Sequence, residues 1–552
     1  MKKTDWYKDA VIYQIYPRSF CDSNNDGFGD INGIISKLDY LKDLGVNCVW
    51  LSPVYCSPQE DNGYDISDYY NIYQRFGTMD DFKVMLAEMH KRGIRLIMDL
   101  VVNHTSSEHD WFKQAVSNKD SKYRDYYIFK KGKKNGKKPP NNWTGFFGGS
   151  AWERVGDSQD YYLHLFAKGQ PDLNWENPKV RSEVKNILKF WLDMGVDGFR
   201  CDVITLISKK QDFKSRFPAL ALCGKDAYIN GPRLHEFLQE LDRDVFSKYD
   251  VMTVGETVMS SLDEAKKLVD PKRHELTMIF NFDHTDTDNY MGVKYLRKKF
   301  KAKNLQKVVT KWQLSLHDCG WNSLFIENHD QRRSVGRFGT CEEYRKEGAK
   351  MLATLYFLLQ GTPFIYEGQE IGMTNAHFKS IDEIVDIEAH NMDKLAKSNI
   401  FLRMLIHGSI FDVSRDNART PMQWDDTAYA GFSSAKPWLR VTDNYKSINA
   451  KESISDPDSI YNYYKKLIEF RIGNEVIKNG TYDVILKNYK NIFAYVRKYK
   501  ENELIVICSF SKKDTRVKKL EKYNNYEVIL SNYKDNLATI LKPYECRVYS
   551  KK

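Results

Sequence analysis

Asp197-Gly198-Phe199-Arg200-Cys201-Asp202-Val203 sets two charged side chains, Arg200 and Asp202, two residues apart at the end of a short apolar run. On a strand that spacing puts both on one face. Two other runs finish in the same way: Met252-Thr253-Val254-Gly255-Glu256 and Ile326-Glu327-Asn328-His329-Asp330. A helix-capping surface carboxylate would explain any one of these positions, but not a carboxylate at the end of each strand-like run. Parallel strands in a barrel bring such residues together at their C-terminal ends. Hydrolysis of a glycosidic bond with retention needs that supply: a carboxylate to attack the anomeric carbon and a carboxyl group to protonate the leaving oxygen, roughly 5 Å apart.

Working outward, eight apolar, β-branched or aromatic runs read as strands, at 11–16, 48–51, 95–102, 198–201, 251–254, 278–282, 323–326 and 364–366. Amphipathic stretches such as 79–92 and 179–194 lie between most of them. Alternation of this kind predicts an α/β fold, a (β/α)8 TIM barrel. The interval from 104 to 197 is too long for a simple crossover, and its segment 126–169 is aromatic, glycine-rich and polar. It is expected to form an inserted subdomain after the third strand, walling one side of the C-terminal face. Beyond 480 the runs at 492–496, 504–508, 528–530 and 546–549 have no long helices between them, the signature of a C-terminal antiparallel β domain. The expected division is 1–103 and 171–479 for the barrel, 104–170 for the inserted subdomain B, and 480–552 for a C-terminal β-sandwich.

With 552 residues, 42% of them hydrophobic, the chain can bury a large core with smaller domains beside it. Its net charge of +10 is spread over scattered lysines, apart from the run KKGKKNGKK at 130–138, which reads as a solvated loop because it has no interleaved aromatics. Nucleic acid is therefore not an expected partner. Nine cysteines stand singly, without CxxC or metal-like spacing, and suit reduced thiols in the cytoplasm. The N-terminal residues lack the apolar stretch of a signal peptide, and no run of about 18 apolar residues predicts a membrane span.

The motifs Asp99-Leu100-Val101-Val102-Asn103-His104, Gly198-Phe199-Arg200-Cys201-Asp202, Gly255-Glu256 and Asn328-His329-Asp330 follow one another in an order that resembles the α-amylase superfamily of glycoside hydrolases. Gln170-Pro171-Asp172-Leu173-Asn174 and the run from Arg415 to Trp424 (RDNARTPMQW) are similar to its bacterial oligo-1,6-glucosidase group. The resemblance runs essentially from end to end. It implies that Asp202 is the nucleophile, Glu256 the general acid/base and Asp330 the stabiliser of the transition state. Arg200, on the same strand face as Asp202, is expected to lower the pKa of the nucleophile, while the other carboxylates raise that of Glu256.

The same resemblance implies a pocket for the non-reducing glucose made by Tyr64, Asp65, His104, His329 and one of Arg415 or Arg419, with Phe147, Phe166 and Gln170 as further wall residues. Val203, directly after the nucleophile, matches enzymes acting on α-1,6 bonds. Asp22-Ser23-Asn24-Asn25-Asp26-Gly27-Phe28-Gly29-Asp30 offers oxygen atoms at alternate positions, the logic of a calcium loop. Asp22, Asn24, Asp26 and Asp30, with the Phe28 carbonyl, are the expected ligands of a structural Ca2+, with Mg2+ as the alternative. No organic cofactor is expected.

The expectation is thus a cytoplasmic, monomeric, exo-acting α-glucosidase for isomaltose and short α-1,6-linked oligosaccharides. Alternatives within the superfamily are a broad α-glucosidase acting on maltose or sucrose, a trehalose-6-phosphate hydrolase and a sucrose isomerase. Asp286 stands near the place where the phosphate-handling relatives carry a lysine, and the RLDRD run of the isomerases is missing there. Leu241-Asp242-Arg243-Asp244 falls instead in a predicted helix before the fifth strand. Thr257, Val258 and Arg332 depart from the usual oligo-1,6-glucosidase pattern beside the acceptor site. A carbohydrate-binding or transporter-ancillary protein without turnover is disfavoured by the intact carboxylates.

Overall fold

The computed structural model describes residues 4–219, 222–290 and 292–551. Eight parallel strands form the central sheet: β1 (Ile12–Ile15), β2 (Cys48–Leu51), β3 (Arg95–Leu100), β4 (Gly198–Cys201), β5 (Met252–Glu256), β6 (Met278–Phe280), β7 (Ser323–Leu324) and β8 (Thr362–Tyr366). They are ordered β6-β5-β4-β3-β2-β1-β8-β7, and a parallel bridge from Ile279 to Asn322 joins the two ends into a barrel. All eight fall on the runs expected from the sequence.

Alternation along these strands separates a dry core from a polar rim. Inward positions begin apolar, so that Ile12, Cys48, Trp50, Ile97, Met252, Val254, Met278, Phe280 and Phe364 fill the interior as one cluster. Two residues further along, the same faces present Gln14 after Ile12, Asp99 after Ile97 and Glu256 after Val254. Gly198 begins β4 where a Cβ would lie 2.1 Å from the Met252 carbonyl oxygen, so only glycine permits the approach of β4 to β5.

The opposite strand faces pack against helices. The helix Pro178–Met194 has Asn177 as N-cap, proline at its first turn and Gly195 in the left-handed region at its end. Its buried residues Val180, Val184, Ile187, Leu188 and Trp191 recur at helical spacing. The helix Met79–Lys91 starts in a Thr78–Asp81 capping box and buries Phe82, Met85, Leu86 and Met89.

Between β3 and β4 the chain makes a three-stranded antiparallel sheet in which Asp160–Leu163 lies between Phe129–Lys131 and Trp152–Arg154. Its core does not end at residue 170. Phe213, Ala227 and Tyr228 from the connection after β4 pack with Trp143, Trp152 and Leu163, so the subdomain is built from two excursions. A second addition follows β8: the antiparallel helices α1 (Ile387–Ser398) and α2 (Ile400–Val413), which the sequence reading left inside the barrel.

The C-terminal strands β9 (Thr481–Ile485), β10 (Ile492–Tyr499), β11 (Asn502–Ser509), β12 (Glu527–Ser531) and β13 (Cys546–Ser550) form a sheet ordered β9-β10-β11-β13-β12. The short pair Thr515–Arg516 and Ile540–Leu541 accompanies it. Phe493, Tyr495, Val506 and Val548 belong to the same apolar core as the barrel helices, and the Tyr495 hydroxyl donates to the Leu355 carbonyl at 2.8 Å. Among the described residues no helix is long and apolar enough to cross a membrane, and all nine cysteines are free thiols.

Candidate active site

Asp202 and Glu256 meet at the C-terminal ends of β4 and β5, joined by one guanidinium. Arg200 Nη1 donates to Asp202 Oδ1 at 2.6 Å and to Asp99 Oδ1 at 2.5 Å, and its Nη2 donates to Glu256 Oε2. Asp99 comes from the end of β3 and also accepts from Trp50 Nε1 at 2.9 Å. Three carboxyl groups therefore divide one positive charge. Burial, helped by the Glu256 and Asp99 charges, pushes the Asp202 carboxyl well above the usual aspartate range, and Arg200 opposes the shift without cancelling it. Arg200 thus acts on Asp202 in the expected direction, and burial outweighs it. Burial likewise raises Asp99 to about 6.

Asp330 has the opposite environment. Arg419 Nη2 donates to its Oδ1 at 2.7 Å, Arg415 Nη1 lies 3.5 Å from the same oxygen, and His329 Nε2 lies 3.2 Å from Oδ2. Although burial alone would raise it, these neighbours hold the Asp330 carboxyl far below the usual range. His329 is lowered to about 3 by burial and is neutral. The Gln14 amide, 2.8 Å from Nδ1, makes that nitrogen the acceptor, so Nε2 carries the proton and faces Asp330 and the Tyr64 hydroxyl. Tyr64 stacks on His329 with ring centroids 5.3 Å apart and planes 6° from parallel.

These groups open into a cavity of about 370 Å³, the size of a small-ligand site. Of the expected residues, Tyr64, His104, Phe147, Phe166, Asp202, Val203, Glu256, Asp330 and Arg415 line it. Phe147 stands edge-on to Phe166 at 5.6 Å and lies 5.1 Å under the Arg415 guanidinium. His104 keeps its Nε2 3.0 Å from the Tyr64 carbonyl, and burial lowers its pKa to about 4. Val203 has φ 34° and ψ 40°, a strained conformation for a β-branched residue, and its amide donates to Glu256 Oε2 at 3.3 Å.

Asp65, Gln170, Arg200, His329 and Arg419 stand behind this lining. Asp65 accepts from Ser57 Oγ at 2.9 Å and from the Glu60 and Asp61 amides at 2.8 and 3.2 Å, so it shapes its own loop. The carboxylate that reaches the cavity is Asp61, 3.3 Å from Arg415 Nη2 and 3.2 Å from Gln170 Nε2. That is a correction of the sequence reading, which chose the wrong aspartate of Asp61-Asn62-Gly63-Tyr64-Asp65. Gln170 positions Asp61, and Arg419, donating to the His329 carbonyl at 3.0 Å, positions the Asp330 loop.

At the open end the sequence reading missed Lys294 and Glu388. Lys294 Nζ lies 2.5 Å from Glu388 Oε2, and the Tyr295 hydroxyl donates to Glu388 Oε1 at 3.0 Å. The pair ties the hairpin before residue 297 to α1. Arg332, expected beside the acceptor, is buried behind the rim, where it pairs with Asp288 and with Asp412 Oδ2 at 2.9 Å.

The loop at 22–30 closes on protein donors. Asp22 Oδ1 accepts from the Asn24 and Asn25 amides at 3.0 and 2.8 Å, and its Oδ2 accepts from Gly27 N at 2.9 Å. Asp26 faces Arg75 at 3.1 Å, and Asp30 caps the helix Ile31–Ser36 through Gly33 N at 2.7 Å. Among the described residues, no group of three or more His, Cys, Asp or Glu side chains is gathered to hold a metal ion. The donor set is all oxygen and suits a hard cation in kind, but its carboxylates do not form a cage.

The model of the alpha-amylase catalytic domain matches residues 14–480. An oligo-1,6-glucosidase of Parageobacillus thermoglucosidasius is 56% identical over 92% of this chain and 91% of its own length. Among solved structures, trehalose-6-phosphate hydrolase of Bacillus licheniformis superposes with a TM-score of 0.93 at 47% identity, covering 99% of this chain and 100% of that one. Isomaltulose synthase from Klebsiella sp. LX3 gives a TM-score of 0.94 at 42% identity, with 99% of each chain covered.

Proposed function

The chain belongs to the alpha-amylase family of glycoside hydrolases, and we propose that within it the protein is a retaining, exo-acting α-glucosidase that releases α-glucose from isomaltose and short α-1,6-linked oligosaccharides. The observation that carries this reading is the Asp202–Arg200–Glu256 bridge. A guanidinium that contacts both carboxyls favours the short separation, about 5 Å, of a retaining pair over the roughly 6.5–9.5 Å of an inverting one. Asp61 and Arg415, which line the cavity with Asp330, offer polar contacts for the hydroxyls of a terminal sugar.

Asp202 attacks the anomeric carbon while Glu256 gives a proton to the leaving oxygen. Glu256 then takes a proton from the water that frees glucose with its α configuration retained. Asp330, kept ionised by Arg419 and Arg415, faces the positive charge that develops on the ring. The strained Val203 backbone lets its amide meet Glu256 while its side chain narrows the acceptor side.

A phosphorylated substrate is disfavoured at the rim. Lys294 is neutralised by Glu388, and Asp283 and Asp286 face the same cavity. Glucose release from isomaltose, maltose, sucrose and trehalose 6-phosphate tests the reading: isomaltose is expected to be cleaved fastest. A preference for maltose or sucrose would keep the chemistry and replace the linkage, and a preference for trehalose 6-phosphate would overturn the rim argument.

We also propose that the protein works as a monomer in a reducing cytoplasm, which nine unpaired thiols suit. For the loop at 22–30 we propose a Ca2+ or Mg2+ ion of structural role, held by a mixed set of Asp22, Asn24, Asp26, Asp30 and the Phe28 carbonyl. Chelation is expected to lower the thermal midpoint and spare kcat once refilled. An unchanged midpoint together with no metal by elemental analysis would remove the ion.

A further inference from the structure

A second cavity, of about 330 Å³, shares no lining residue with the catalytic pocket. Arg345, at the start of the helix Arg345–Phe357, meets Lys379, Arg440, Thr442 and Asn444 from the segments that follow β8. Its guanidinium is part-buried and donates from Nη1 to the carbonyls of Ile371 and Gly372, at 2.8 and 3.2 Å. The carboxylates that act on these cations are Glu347 for Arg345 and Glu383 for Lys379. Burial lowers the pKa of Arg345, and the Glu347 charge opposes this without cancelling it.

The position is built for this guanidinium. A Cβ at Gly372, which has φ +69°, would lie 2.6 Å from Arg345 Nη1. Two further donors, Arg440 Nε and the hydroxyl of Thr442, are buried without a hydrogen-bond partner, and both residues line the cavity. The carboxylates nearby are occupied. Glu342 lies 3.1 Å from His377, Glu383 lies 3.3 Å from Arg440 and accepts from the Lys379 amide at 2.7 Å, and the exposed Asp443 lies 3.6 Å from Arg440.

We propose that this cavity binds a phosphate-class oxyanion, as inorganic phosphate or as the phosphate of a small sugar phosphate. A tetrahedral oxyanion offers acceptors to the unpartnered Arg440 Nε and Thr442 hydroxyl and to the Arg345 and Lys379 cations that line the same cavity. At about 330 Å³ the cavity lies in the size range of small-ligand sites.

Isothermal titration of the full chain with inorganic phosphate and, separately, with glucose 6-phosphate, at constant ionic strength, tests the site. Saturable binding is expected, weakened at least tenfold in Lys379→Ala and in Thr442→Val. Neither substitution touches the catalytic pocket, so kcat/KM on the preferred disaccharide should be unchanged in both. Equal affinity for the two ligands identifies the free anion as the occupant, and much tighter binding of glucose 6-phosphate identifies the sugar phosphate; either supports the site. No saturable binding, binding unaffected by both substitutions, or binding that competes with substrate would overturn it.

Discussion

At the scale of single residues, the site separates carboxylates by their surroundings. Asp330 is surrounded by cations, whereas Asp202 shares one guanidinium with Asp99 and Glu256. The Asp99 charge is one of the causes that raise Asp202. Asp99→Asn removes it and should lower the pKa of Asp202, moving the acid limb of the kcat/KM profile to lower pH by on the order of one unit. A limb that stays put or moves upward would show that Asp99 does not act on Asp202 electrostatically. Asp61 and Asp65 make a second contrast. Asp61→Asn should raise KM roughly tenfold, because it removes the charge and leaves one oxygen where Arg415 and Gln170 each had an acceptor. Asp65→Asn should leave KM within about twofold while costing about 1–3 kcal/mol of stability, because it unties amides of its own loop. Steady-state kinetics and thermal melts of both variants separate the two roles.

The aspartates also mark how far the sequence could be read at this scale. Asp202, Glu256 and Asp330 were legible because each ends a strand-like run, and strand ends in a barrel converge. Asp61 and Asp65 both lie in a loop without periodicity, so nothing local distinguishes the one that faces the cavity. The rise in the Asp202 pKa was equally hidden, since it comes first from burial and then from the Glu256 and Asp99 charges on neighbouring strands.

Among elements, the eight strands were legible from runs of apolar and β-branched residues, and the helix Leu234–Asp244 fell where Leu241-Asp242-Arg243-Asp244 was expected to be helical. The α1–α2 hairpin was not legible as an addition, because an amphipathic helix beyond the last strand reads like any barrel helix. Its place is fixed by tertiary contacts: Glu388 with Lys294 and Tyr295, and Asn391 Nδ2 donating to the Phe147 carbonyl at 3.2 Å. Glu388→Gln breaks the charged tie. It should raise KM for the disaccharide roughly five- to tenfold, about 1 kcal/mol, with a smaller change in kcat. An equal fall in kcat at constant KM would move Glu388 from the rim into the chemistry.

For the molecule as a whole, the change of pattern after residue 480 revealed a β domain but not its union with the barrel. Phe493, Tyr495, Val506 and Val548 continue the barrel's core, packed on the helix Arg345–Phe357. Calorimetry of the full chain should therefore give one unfolding transition, and a chain ending at Gly480 should aggregate because this apolar face is bared. Two separated transitions, or a stable truncated barrel, would show that the domains fold independently.

The most direct measurement of the central claim is to trap the glycosyl-enzyme with 5-fluoro-α-D-glucosyl fluoride and map the modified peptide by mass spectrometry. A single label on Asp202, with loss of activity in step with labelling, is the predicted result. A label on Glu256 or Asp330, or no covalent adduct while the reagent is turned over with inversion, would contradict a retaining mechanism that begins at Asp202.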